Sequence, residues 1–218
     1  MSAPIAFYFD FISPYAYFGA TQIESIAARY GRAVDWRPVL LGITVLKIMG
    51  MKPLPDTPLK GPYLHEDAPR MARLFGVPFR HHGLKGINSV AAMRAFLWLK
   101  AQDPTLARRY ADRVFARLWV QGKDITAVEA CAEEAVALDV DTHALIAAIS
   151  TDAIKERLKT AVDEAVAEGV FGVPFFIVDG QKIWGGDRLW MLEHWLRHRT
   201  WDRALTGFSP SDTPPGAP

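Results

Sequence analysis

Residues 5–11, IAFYFDF, form an alternating, aromatic-rich run of the kind that makes a strand, and at 13–14 the chain passes straight into Ser-Pro. That junction constrains the fold more than any other feature. A serine can cap free backbone N–H groups, and the fixed φ of a following proline suits the first helical position. Strand therefore turns into helix with almost no loop. Residues 14–30 carry Phe18, Ile23, Ile26 and Ala27 at helical spacing until Gly31, and residues 34–40 read as a second strand. A β-α-β unit in this space sets its two strands parallel, which points to an α/β fold.

From 41 to 150 the character changes. Pro-rich punctuation, MKPLPDTPLKGP, gives way to helical stretches around 65–75, 89–101, 104–121, 126–138 and 141–149. The segment AIKERLKTAVDEAVAEG then places Ile154, Leu158, Ala161, Val162, Ala165 and Val166 on one face and stops at Gly169. VPFFIVDGQKIWGG follows as two short strands joined by Asp179-Gly180, a strong hairpin signal. Residues 187–197 close as an amphipathic helix with Leu189, Leu192, Trp195 and Leu196 inward. This order is that of an α/β, thioredoxin-like fold with an all-α domain inserted between its β-α-β and β-β-α halves. It predicts a thioredoxin-like domain over 1–40 and 151–200, a helical insertion domain over 41–150 and a disordered, Pro-rich tail over 201–218.

The 218 residues, half of them hydrophobic, suffice for a core that buries roughly 70% of the unfolded surface. With 25 Lys+Arg against 24 Asp+Glu and no basic tract, nucleic acid is not an expected partner. No signal peptide and no apolar run of membrane-spanning length is visible, so the expectation is a soluble, cytoplasmic protein without a membrane partner. The single cysteine, Cys131, allows no internal disulfide, and His65, His81 and His82 lack the spacing of metal ligands, so no metal is expected.

Thioredoxin-like folds carry a C-x-x-C motif at the turn from first strand to first helix. Here those positions are Ser13-Pro14-Tyr15-Ala16, and without two sulfurs disulfide exchange is excluded at that place. What remains is a hydroxyl at a helix N-terminus, where free N–H groups and the helix dipole favour negative charge. Ser13 is either a plain cap or a hydrogen-bond donor to a sulfur brought in by a cofactor. As a nucleophile it is poor, having no G-x-S-x-G setting and no histidine marked as its base. Val173-Pro174, just before the strand FFIVD, is either an ordinary loop proline or the cis proline of the fold, with the Val173 backbone open to an extended peptide. Gly186, Asp187 and Arg188 open the last helix, where N–H groups can take a carboxylate; Asp187 either accepts from an ammonium group or caps the helix.

Taken together, FYFDFISPYAYFG, GVFGVPFFIVDG and WGGDRLWMLEHWL resemble the 2-hydroxychromene-2-carboxylate isomerases, glutathione-dependent, DsbA-like relatives of the kappa-class glutathione transferases. The resemblance spans roughly residues 4–198, and its most specific part joins F-x-F-D-F-x-S-P-Y with G-V-P-x-F. It implies glutathione as cofactor, with Ser13 holding its sulfur, Val173 and Pro174 its cysteinyl backbone, and Gly186, Asp187 and Arg188 its γ-glutamyl end. GINSVAAMRAF resembles the family's P-x-N-S-x-x-A-x-R motif and implies that Asn88 is a second catalytic residue; Gly-Ile stands where the pattern often has proline plus one residue, and Asn88 equally suits a helix cap. TPLKGPYLHEDAPRMARLF matches the family at Lys60, Tyr63, Asp67 and Arg70, with Lys60 either contacting a carboxylate or simply solvated. The implied reaction interconverts 2-hydroxychromene-2-carboxylate and trans-o-hydroxybenzylidenepyruvate by reversible thiolate addition, in the breakdown of naphthalene-type aromatics. A kappa-like transferase and a non-catalytic thioredoxin-like binding protein are the alternatives. The relatives also imply a homodimer.

Overall fold

The computed structural model describes residues 3–82 and 84–202, so the expectation of a disordered tail falls, from 203 onward, outside the described residues. Its elements run β1 (Ile5–Phe9), α1 (Pro14–Arg29), β2 (Val34–Pro38), α2 (Lys60–Phe75), α3 (Val90–Gln102), α4 (Pro104–Trp119), α5 (Val128–Val136), α6 (Thr142–Ile149), α7 (Asp152–Ala167), β3 (Phe175–Val178), β4 (Gln181–Trp184) and α8 (Leu189–His198). The four strands form one sheet in the order β2-β1-β3-β4. β1 and β2 are parallel, with Ile5 opposite Val34 and Phe7 opposite Trp36, whereas β1–β3 and β3–β4 are antiparallel. This is the thioredoxin-like arrangement, with helices α2 to α6 standing between β2 and α7.

All five residues of β1 are buried, because the strand is central and covered on both faces. The alternation in its sequence is one of residue size and polarity only. β1 ends at Phe9, two residues short of the predicted 5–11, because the Ser13 N–H donates to the Asp10 carbonyl at 3.1 Å and closes a turn. At the hairpin, Asp179 and Gly180 have φ of 49° and 79°; two successive positive φ values define the tight turn whose twist matches paired strands. Arg32, just after α1, is almost wholly buried and pairs with Asp179 at 2.9 Å, tying that hairpin to the end of the β-α-β unit.

The helical block differs from its sequence expectation mainly at its entrance. A π-helical turn over Gly42–Ile48 and a short 3-10 turn over Leu54–Asp56 occupy the Pro-rich stretch, and α2 starts at Lys60 rather than near 65. Pro62 lies in the first turn of α2, where no intrahelical donor is needed, so it does not delay the helix. Among the described residues, no helix is long and apolar enough to cross a membrane.

One aromatic cluster runs from the sheet into the helices. The Phe7 ring stacks on Phe176 at 5.3 Å and meets Trp36 edge-on at 4.8 Å. Phe9 lies 5.1 Å from Phe96 of α3 and 5.9 Å from Phe115 of α4, and Phe11 lies 4.9 Å from Phe115. Phe9 is fully buried. Phe9→Ala is therefore expected to destabilise the protein by roughly 3–5 kcal/mol in chemical denaturation. A loss below about 1 kcal/mol would mean that sheet and helices do not share this core.

Candidate active site

Ser13 stands at the N-terminus of α1 in an extended conformation, and its Oγ accepts from the Ala16 N–H at 3.2 Å. The capping role read from the sequence is thus present. It uses only the oxygen lone pairs: among the described residues no acceptor takes the hydroxyl proton, which stays available for a ligand. No acidic residue occupies the first turn of α1, so nothing in that turn offsets the partial positive charge of its N–H groups.

The Val173–Pro174 peptide bond is cis. The Val173 N–H and C=O have no hydrogen-bond partner among the described residues, whereas the Pro174 carbonyl accepts from Gly185 N–H at 2.9 Å. Pro174 rests directly on α1, since a Cβ at Gly19 would come within 3.1 Å of the Pro174 Cβ. Gly186 fits the same junction: a Cβ there would lie 3.3 Å from the Tyr15 carbonyl oxygen and 3.8 Å from Pro174 Cγ. The first turns of α1, the Val173–Pro174 loop and the Gly185–Arg188 turn therefore meet in van der Waals contact.

Gly186 to Arg188 form a 3-10 turn, and α8 begins only at Leu189. The capping alternative for Asp187 is not met, because the N-cap position of the 3-10 turn is Gly185 and that of α8 is Arg188. The exposed Asp187 carboxylate lies close over Gly185, whose φ of 110° is a backbone conformation that residues other than glycine rarely adopt. Arg188 donates to the Trp184 carbonyl at 2.9 Å, with its guanidinium 5.9 Å from the Trp184 ring centre.

On the other side, α2 is tied to the first turn of α1. Asp67 accepts from Tyr15 Oη at 2.8 Å, from Tyr63 Oη at 3.1 Å and from Arg70 Nη1 at 3.3 Å. Burial, reinforced by Asp67, holds the Tyr15 phenol well above its ordinary range. Lys60 lies three and seven residues before Tyr63 and Asp67, hence on the same face of α2, exposed and without a carboxylate partner among the described residues. His65 and His81, elsewhere on this side, pair ring to ring at 2.6 Å; no group of three or more His, Cys, Asp or Glu able to hold a metal occurs among the described residues.

Asn88 is exposed; its Oδ1 accepts from the Val90 N–H at 3.3 Å and its own N–H donates to Thr126 Oγ1, but the N-cap position of α3 is Ser89, so Asn88 stands one residue before the cap. Its neighbour Ser89 is buried and donates to Asp10 Oδ1 at 2.5 Å. The Asp10 side chain also accepts from the N–H groups of Ile12 (3.3 Å) and Leu41 (2.8 Å). Burial pushes the Asp10 carboxyl from 3.8 up to about 6, although each of these hydrogen bonds pulls it down. Asp10, Tyr15 and Ser89 were passed over by the reading of the sequence. The signal for Asp10 was there: an acidic residue closing a run of otherwise wholly buried aromatic and aliphatic side chains.

The family model described as the DSBA-like thioredoxin domain matches residues 4–197. The chain is 31% identical over 202 residues to a 2-hydroxychromene-2-carboxylate isomerase of Sphingobium xenophagum, a match covering 90% of this chain and 99% of that protein. It is 28% identical over 203 residues to glutathione S-transferase kappa 1 of Rattus norvegicus, covering 87% and 88%. A solved structure of a selenomethionine-labelled 2-hydroxychromene-2-carboxylate isomerase matches with a TM-score of 0.77 at 29% identity, over 87% of this chain and 92% of that one. By fold, by the geometry of its strand-to-helix turn and by these similarities, the chain belongs to the DSBA-like thioredoxin-domain family, among the relatives of the 2-hydroxychromene-2-carboxylate isomerases.

Proposed function

We propose that this protein is a glutathione-dependent isomerase interconverting 2-hydroxychromene-2-carboxylate and trans-o-hydroxybenzylidenepyruvate. The observation that carries the reading is the Ser13 hydroxyl, whose oxygen is engaged by Ala16 while its proton has no acceptor among the described residues, at a helix N-terminus. The residues present suit a thiol-bearing peptide: Val173 backbone groups with no partner among the described residues, an exposed carboxylate at Asp187 and exposed cations at Lys60 and Arg188. When bound, glutathione supplies a thiolate able to add reversibly to a conjugated carbon, so that the double bond can change geometry. Ser13 donates to the sulfur and favours its anion. Lowering a thiol pKa by two units requires about 2.7 kcal/mol of preferential stabilisation. A hydrogen bond to a charged group, about 1.5–3 kcal/mol, together with a helix N-terminus, about 0.3–1 kcal/mol, is of that size. Val173 would hold the cysteinyl backbone through its N–H and C=O, Gly186, Asp187 and Arg188 the γ-glutamyl end, and Lys60 and Asn88 the carboxylate end of the substrate.

The similarity to a kappa-class transferase over most of the chain keeps a second reading open, conjugation of glutathione to an electrophile with release of the thioether. Product analysis separates the two, since isomerisation leaves no sulfur in the product.

Calorimetry is expected to show saturable binding of one glutathione per chain. No binding at millimolar concentration would overturn the glutathione reading and favour a binding protein without chemistry. Asp187→Asn is expected to weaken glutathione binding about tenfold, the loss of one charge-assisted hydrogen bond. Ser13→Ala and Ser13→Gly both remove the donor, but glycine costs a helix N-terminus only a few tenths of a kcal/mol where alanine costs about 1. Both variants are expected to lower the glutathione-dependent rate by about 10–100-fold. A rate within a factor of two of wild type would remove Ser13 from the mechanism.

A further inference from the structure

We propose that Asp10 is a positioning residue for the chemistry at Ser13, its buried carboxylate fixing the Ser13 turn, the exit of β2 and the start of α3 against one another. The inference rests on the glutathione-dependent reading above. Asp10 is fully buried, yet among the described residues no lysine or arginine pairs with it. The groups that face it are all donors: the Ser89 hydroxyl and the backbone N–H groups of Phe11, Ile12 and Leu41. Three come from separate segments. Ile12 N–H belongs to the strand-to-helix turn, Leu41 N–H lies just past β2, and Ser89 Oγ stands at the N-terminus of α3, next to Asn88. The Asp10 carbonyl meanwhile accepts from the Ser13 N–H. Only an ionised carboxylate offers acceptors to all of these donors without presenting a donor of its own.

The arrangement carries a cost that a merely structural residue would avoid. A carboxyl held near 6 in the fold, against 3.8 ordinarily, binds its proton more tightly folded than unfolded. Stability is therefore greatest below about pH 4 as far as this group is concerned, and falls as pH rises through 6. At neutral pH the charge opposes folding while its hydrogen bonds organise the site. That division predicts opposite pH dependences for stability and for turnover.

The test combines pH profiles of glutathione-dependent isomerisation, from pH 5 to 8, with denaturation over pH 4 to 7, on wild type, Asp10→Asn and Ser89→Ala. Asparagine keeps the shape and one acceptor but stays neutral, so its fold is expected to persist. In wild type, kcat should rise with an inflection near pH 6, whereas stability declines over the same interval. Asp10→Asn should move the inflection away from pH 6 to that of the bound thiol alone, flatten the stability profile and lower kcat about 10–100-fold with little change in KM. Ser89→Ala removes a hydrogen bond that holds the Asp10 pKa down, so its inflection should move to higher pH. An inflection unchanged in both variants, or a kcat loss that merely follows a loss of stability, would overturn the proposal. Wild-type protein that binds no glutathione would overturn it together with the glutathione reading. Glutathione-dependent turnover that is flat through pH 6 would overturn the Asp10 proposal alone.

Discussion

The packing of Phe9 against Phe96 and Phe115 is the contact on which the arrangement of the molecule depends, because it joins the central strand to both α3 and α4. A fully buried aromatic ring contributes about 1.5–3 kcal/mol through burial alone, and well-set aromatic pairs add about 0.5–1.5. The cluster continues on both sides, through Phe7, Trp36 and Phe176 in the sheet and through Phe11 toward α4. Sheet and helical block thus share one core. Since β1 ends inside that core, the turn that follows it starts from a fixed point, and the position of Ser13 is set by packing before any polar contact is counted.

Polar contacts then fix the turn itself. Trp119 of α4 donates to the Phe11 carbonyl at 2.8 Å, and the Asp10 carboxylate gathers donors from the exit of β2 and from α3. Tyr15, one turn further on, reaches across to Asp67 of α2. A neutral hydrogen bond such as that of Trp119 is worth only about 1 kcal/mol net, and those to the Asp10 carboxylate are offset by the cost of burying its charge, so their effect lies in direction more than in stability. They determine which way the chain leaves β1 and hence where the α1 N-terminus stands. A site whose supports come from four elements loses its geometry when any one of them shifts, which is a property of precise sites held by packed neighbours.

The features legible in the sequence are those decided locally. Ser13-Pro14 specifies a helix start within two residues, and Asp179-Gly180 specifies a tight hairpin because a type I′ turn needs two positive φ values in succession. The helices of the block were legible in number because apolar spacing repeats within each segment. The entrance to α2 was not, since Pro62 is harmless at a helix N-terminus but reads as a breaker when the start is unknown. Asp187 looked like a cap because Gly-Gly-Asp precedes an apolar periodic run; the 3-10 turn that displaces it depends on Gly186 fitting against Tyr15 and Pro174, segments far away in the chain. Asp10 was missed for the same reason. Two of its donors, Leu41 and Ser89, stand 31 and 79 residues away, and no local pattern announces them.

The position of Cys131 sharpens what the strand-to-helix turn can do. Its thiol is buried in α5, faces the Ile125 carbonyl at 3.5 Å and is pushed up to about 11, chiefly by burial. At neutral pH it is protonated, so it cannot serve as an attacking thiolate. At the turn itself, the residue that would carry the second sulfur of a C-x-x-C motif is Ala16, fully buried, with its N–H already given to Ser13. Sulfur chemistry at this place therefore requires a thiol from outside the chain. What the strand-to-helix turn offers is narrower and more easily tested: a hydroxyl proton with no acceptor among the described residues, a first helical turn without an acidic side chain, and Val173 backbone groups with no partner among the described residues.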